Sequence, residues 1–140
     1  MKKLIFLLAA VAGVSFTNAQ KVSEKEVPAV VKSALQKDYP NVKKVKWEKE
    51  KGNYEAGFEV KENDYSVLID ASGNIIETEV EINIDALPAN IKSYITKNYP
   101  GKKIKEAAKI TDNKGVVTYE AEVNDKDLIF DDSGKFLKEN

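Results

Sequence analysis

Seven glutamates stand at alternating positions of three stretches: Glu55 and Glu59; Glu77, Glu79 and Glu81; Glu120 and Glu122. Carboxylates paired at fixed separations can do acid–base work on a glycosidic bond. That chemistry also needs a cleft holding one acid protonated, and a small flat sheet offers none. The plainer reading is a solvated strand face, where Lys44, Lys46 and Lys61 balance the glutamates across neighbouring strands.

Two Asp-rich segments, Asp70-Ala71-Ser72-Gly73-Asn74 and Asp131-Asp132-Ser133-Gly134, invite comparison with calcium loops. An EF-type loop needs ligands at alternate positions and a distant bidentate Glu. Each segment supplies one or two ligands between apolar runs, so a tight hairpin turn is expected, with Gly where φ is positive. Ser33 and Ser93 precede Lys37 and Lys97 by four positions. A Ser-Lys dyad needs a buried lysine, and these fall on the polar side of a helix. Trp47, the single Trp, is a candidate partner anchor, although it shares a strand face with Val45 and also suits the core. The pairs Lys43-Lys44 and Lys102-Lys103 read as solubilising charge.

The absences exclude more. The chain has no His and no Cys, and all of its 22 basic residues are Lys. Ser-His-Asp and Cys-His catalysis, thiol redox chemistry and Cys/His zinc sites are therefore closed. Bidentate Arg recognition of phosphate is closed as well. No cofactor is implied.

The start Met1-Lys2-Lys3, an apolar run from Leu4 to Val14, and Thr17-Asn18-Ala19 before Gln20 describe a secretory signal peptide over 1–19, cut after Ala19. The run is shorter than the about 20 residues that span a bilayer, and no later segment is long enough, so no membrane span is expected after cleavage. Removing Lys2 and Lys3 leaves 20 basic against 23 acidic residues, a net charge of −3. This balance does not point to nucleic acid. Without Cys, an exported chain relies on core packing rather than disulfides.

The remaining 20–140 is built twice. Val27-Pro28 and Tyr39-Pro40 return sixty positions later as Leu87-Pro88 and Tyr99-Pro100. Val27, Val31, Ala34, Leu35 and Tyr39, and Leu87, Ile91, Tyr94, Ile95 and Tyr99, each have the spacing of one helical face. Helices are expected over 28–38 and 88–98. The first could start at a Ser23-Glu26 capping box or near Pro28; Asp85 is the candidate cap of the second. Segment 20–26 reads as polar and loose.

Alternating strands follow the first helix: one through Val45 and Trp47, one through Tyr54 to Val60, one over Tyr65 to Ile69, and one over Ile76 to Ile82. Turns are expected at Lys51-Gly52-Asn53 and Glu62-Asn63-Asp64. The second copy repeats the plan, with Tyr119-Glu120-Ala121 matching Tyr54-Glu55-Ala56 and Leu128-Ile129-Phe130 matching Val67-Leu68-Ile69. Short turns make consecutive strands antiparallel neighbours. The expected class is α+β: two helix-plus-four-strand repeats, about 24–84 and 85–140, forming an antiparallel sheet of seven or eight strands with two helices on one face. A single domain over 20–140 is expected, because repeats of about 60 residues are marginal alone.

The proline-bounded helices, the Tyr-Glu-Ala strands and the Asp70–Gly73 and Asp131–Gly134 hairpins resemble the PepSY-like family of secreted proteins, which share the fold of the β-lactamase-inhibitor-like proteins. The resemblance spans nearly all of 20–140. It implies export to the periplasm or outside, tandem repeats in one sheet, and no known catalysis. The β-lactamase inhibitory protein, to which the family is related in fold, carries disulfides that have no counterpart here. The expected function is that of a secreted or periplasmic binding module, an inhibitor or modulator of an envelope hydrolase or peptidase, with another protein as partner. The alternatives are a small carboxylate-dependent hydrolase and an envelope structural or stress protein. Glu55, Glu59, Glu120 and Glu122, on the face opposite Tyr54, Phe58, Tyr119 and Val123, are the candidate contacts together with Trp47.

Overall fold

A computed structural model describes residues 19–140. The expected signal peptide lies outside the described residues except for Ala19. The chain divides into two compact units, with the boundary between Thr78 and Glu79.

In the first unit, β1 (Gln20–Val22) is followed by a 3₁₀ turn (Glu24–Glu26), α1 (Ala29–Asp38), β2 (Lys46–Glu50), β3 (Asn53–Val60) and β4 (Asn63–Ile69). Both expected helix starts contribute. The Ser23 backbone N–H and hydroxyl donate to the Glu26 carboxylate at 2.7 and 2.9 Å, closing the 3₁₀ turn. These donors hold the Glu26 carboxyl below its usual range. Val27 then returns to extended angles, as the residue before proline tends to, and Pro28 stands at the N-cap of α1. A proline there forfeits no intrahelical bond, and its carbonyl accepts from Val31 and Lys32 N–H.

The second unit repeats this with α2 (Ala89–Asn98), β6 (Ile104–Asp112), β7 (Val117–Val123), β8 (Lys126–Asp131) and β9 (Phe136–Glu139); β5 (Ile75–Ile82) carries the unit boundary. Asp85 does not cap α2: it lies in a 3₁₀ turn (Ile84–Ala86) capped by Asn83, whose side-chain oxygen accepts from Asp85 N–H at 3.0 Å, and Pro88 stands at the N-cap of α2.

The strands follow chain order in an antiparallel sheet of nine, where seven or eight were expected. The addition is β1, which pairs Gln20, Lys21 and Val22 with Lys49, Glu48 and Trp47. Its three residues are too few and too polar to show alternation; pairing with the edge of β2 orders them. The β3–β4 turn also differs from expectation. It uses Lys61 and Glu62, at φ 50° and 68°, and Asn63 already belongs to β4. The β7–β8 turn has the same form through Asn124 and Asp125, at φ 55° and 60°. Two-residue hairpins demand positive φ at both positions, which Asn and Asp tolerate better than Lys and Glu.

Each helix covers the strands of its own unit. Val27, Val31 and Leu35 pack with Trp47, Tyr54, Ala56, Phe58, Val67 and Ile69. Leu87, Ile91 and Ile95 pack with Ala107, Ala121, Val123, Leu128 and Phe130. The aromatic mass is placed differently in the two copies. Trp47 has its counterpart in Ala107, and Phe130, wholly buried and edge-on to Tyr94 and Phe136, fills the second core.

Candidate functional site

Residues directly opposite in an antiparallel pair share a face, so register decides which carboxylates meet. In the first unit Glu48 faces Glu55 across β2 and β3, and Glu55 faces Leu68 across β3 and β4. In the second unit Glu106, Glu122 and Asp127 form one row across β6, β7 and β8. Like charges directly opposite one another oppose strand pairing. Both units place them on the face turned away from the helix, because β3 and β7 send Ala56 and Ala121 into the cores.

The expected contact residues separate into three environments. Glu59 is exposed, and Glu120 and Glu122 are half-buried. Glu122 is held by Lys105, whose ammonium lies 2.9 Å from its carboxylate. Glu55 departs from the solvated position that alternation implied: it is 5% exposed, and the Ser66 hydroxyl donates to its Oε1 at 2.7 Å. Burial raises its proton affinity, the Ser66 hydrogen bond opposes that rise, and the negative charges of Glu48, Glu50 and Glu77 add to it. Trp47 lies in the first core at 5% exposure and pairs with Ala56, so the sheet separates it from the glutamates.

Asp127, Glu106 and Glu48 were not among the expected residues. Asp127 follows a turn and its face is set only by pairing with Glu122. Burial raises its proton affinity, and the Glu122 and Glu106 charges add to this against the pull of Lys105.

The Asp-rich segments are hairpins. Asp70 Oδ1 accepts from Ser72 and Asn74 N–H, both at 2.9 Å. Asp131 Oδ1 accepts from the Ser133 hydroxyl at 2.6 Å and from Ser133 and Lys135 N–H at 3.0 and 2.9 Å. These donors hold both carboxyls below the usual range. The loops are thus organised by their own backbone, and among the described residues no group of three or more acidic side chains is placed to hold a metal ion. The Ser93 hydroxyl is turned to the Ala89 carbonyl at 3.1 Å. Glu77, Glu79 and Glu81 are half-buried along β5. Among the described residues no helix is long and apolar enough to cross a membrane.

Comparison with known proteins adds the family. No curated protein matches the chain. Among solved structures, one of the "putative periplasmic proteins" of Bacteroides eggerthii superposes with a TM-score of 0.75 at 17% identity, over 81% of this chain and 88% of that one. A DUF2874 family protein of Bacteroides uniformis superposes with a TM-score of 0.73 at 21% identity, over the same shares. These two likenesses are of fold. A BLIP-like protein of Bacteroides fragilis has 26% identity and a TM-score of 0.67, over 81% of this chain and 84% of that one. The family model described as "Putative beta-lactamase-inhibitor-like, PepSY-like" matches twice, over residues 15–77 and 62–138. The two matches overlap over 62–77, each takes in one of the two helices, and together they cover nearly the whole chain, which therefore belongs to the PepSY-like, β-lactamase-inhibitor-like family.

Proposed function

We propose that this protein is a non-catalytic binding module of the periplasm or cell exterior that inhibits or modulates an envelope hydrolase or peptidase, and that it takes a partner presenting lysines and arginines. The observation that carries this reading is the direct cross-strand register of carboxylates, Glu48 with Glu55 and Glu106 with Glu122 and Asp127. Such rows cost the isolated fold stability, and an approaching cationic surface relieves the repulsion. Charge of this kind acts mainly on association rate and on the choice of partner.

Glu59, exposed on β3, and Glu120, half-buried on β7, are the side chains to test, each on a strand that carries one of the rows. The chain, immobilised and exposed to the envelope fraction of its own cell, is expected to retain one dominant basic protein. Glu59→Lys with Glu120→Lys should slow the association of that protein roughly tenfold or more, while the variant still folds and melts cooperatively. Raising salt should slow the unaltered chain as well, since surface charges are screened beyond about 8 Å at physiological ionic strength. Association indifferent to both changes would overturn the acidic-face reading.

Export is part of the proposal, and it rests on Lys2-Lys3, the apolar run to Val14 and the small residues before Gln20. The mass of the protein recovered from its own cell should begin at Gln20, where β1 also begins. Retention of Met1 to Ala19 would contradict it.

A further inference from the structure

The outward face of the first unit carries a carboxylate whose burial the proposed binding role leaves unexplained. Glu55 is in mid-strand at 5% exposure, and the group that donates to it is uncharged, the Ser66 hydroxyl at 2.7 Å. A buried carboxylate is ordinarily answered by a cation or several N–H donors. Around Glu55 the charges are of the wrong sign. From β2 come Glu48, directly opposite, and Glu50; from β5 comes Glu77; β4 supplies Leu68, Ser66 and, farther along, Asp64, which faces Glu59 of β3. The lysines of this face are Lys46, opposite Gly57, and Lys21, opposite Glu48 on the strand beyond. Among the described residues, no ion pair joins either lysine to Glu55.

We propose that Glu55, with Ser66 beside it and Glu48, Glu50 and Glu77 around it, is an acid-responsive element that takes up a proton as the surroundings become mildly acidic and thereby stabilises the first unit. Ser66 suits both states: its hydroxyl donates to the carboxylate and can accept from the carboxylic acid. Protonation removes the buried charge and its repulsion from three neighbours without breaking the contact.

The direction follows from linkage. Glu55 holds its proton more tightly folded than unfolded, where its ordinary value is 4.5. Stability must then rise as pH falls from above the folded value toward 4.5, and it is fully gained below that. Asp127, raised by burial and by Glu122 and Glu106, acts in the same direction in the second unit. Glu26, Asp70, Asp131 and Glu139 are lowered and act oppositely, with their contribution lost as pH falls through their own folded values, below the ordinary carboxylate range. The two windows are therefore separate: a gain on mild acidification, a loss in strong acid.

The test uses the chain from Gln20 to Asn140, with the Glu55 Cδ resonance followed against pH by carbon-13 NMR and urea midpoints taken from pH 7.5 to pH 4.5. The Cδ midpoint is expected above 4.5, and the urea midpoint is expected to rise as pH falls across that interval. Glu55→Gln should match or exceed the unaltered chain at pH 7.5 and respond less to pH, with Asp127 supplying the remainder. Ser66→Ala, which removes the donor to the charged form, should move the Cδ midpoint further up. A Cδ midpoint at or below 4.5, or a glutamine variant with the full pH response, overturns the proposal. Should the glutamine variant not fold, the Cδ titration of the unaltered chain decides alone.

Discussion

Trp47→Ala is expected to lower the stability of the chain by about 3–5 kcal/mol, the range for deleting a buried large aromatic. Trp47 is 5% exposed and belongs to the core formed by α1, β2, β3 and β4. The second unit shows why the loss is not recovered by collapse. There the corresponding position is Ala107, and Phe130 with Tyr94 and Phe136 supplies the filling volume. In the first unit the aromatic cluster is Tyr39, Phe58 and Tyr65, with ring centroids 4.8–5.8 Å apart. These rings contact one another, and removing the indole leaves a cavity that they are not free to fill. With total stabilities of about 5–15 kcal/mol typical of domains, such a loss is a large fraction of the whole. Urea denaturation followed by circular dichroism measures the loss. A midpoint unchanged from the parent chain would return Trp47 to the role of partner anchor.

Gly73→Ala is expected to cost about 2–4 kcal/mol, from left-handed backbone strain together with overpacking. Gly73 has φ +87°, and a Cβ there would lie 2.8 Å from Val30 Cγ2 and 2.9 Å from the Val30 carbonyl oxygen. The side-chain methyl can rotate away, but the carbonyl belongs to the first turn of α1 and cannot move without the helix. Gly52 is the control: its φ is +81°, and a Cβ there would meet nothing within 4 Å. Gly52→Ala should show only the backbone strain, about 1–2 kcal/mol. The difference between the two midpoints isolates the seating of the β4–β5 hairpin on α1. Equal losses would mean that this hairpin rests on the helix without constraint. In the second unit Gly134 is held against Asn90, whose side-chain amide donates to the Ser133 carbonyl. The contact is the same in kind, but with a side chain where the first unit has backbone.

Elements with strong local signals were legible in the residues. The helices expected over 28–38 and 88–98 are found at Ala29–Asp38 and Ala89–Asn98. Proline bounds them at both ends, and apolar residues recur with the helical period, a pattern independent of distant contacts. The Asp70 and Asp131 hairpins were legible for the same reason, since an Asp side chain caps its own turn. The Lys61-Glu62 turn was not, because neither residue favours positive φ and the strands on either side impose it. Strand β1 was not, because three residues carry no period.

The candidate site divides along the same line. Alternation by itself determined that Glu55, Glu59, Glu120 and Glu122 face away from the aromatic stripe, since period two is a property of one extended strand. It also determined the duplicated plan, the family and the excluded chemistries, all of which follow from residue identity and spacing. Burial and pairing were decided by the tertiary structure. Glu55 is enclosed while Glu59, four residues on in the same strand, is exposed. Glu122 meets Glu106 and Asp127 because three strands align in one register. Trp47 joins the core rather than the surface because β2 turns the indole toward α1's face of the sheet. These outcomes depend on neighbours brought together across turns, and the energy of a charge depends on which neighbours those are.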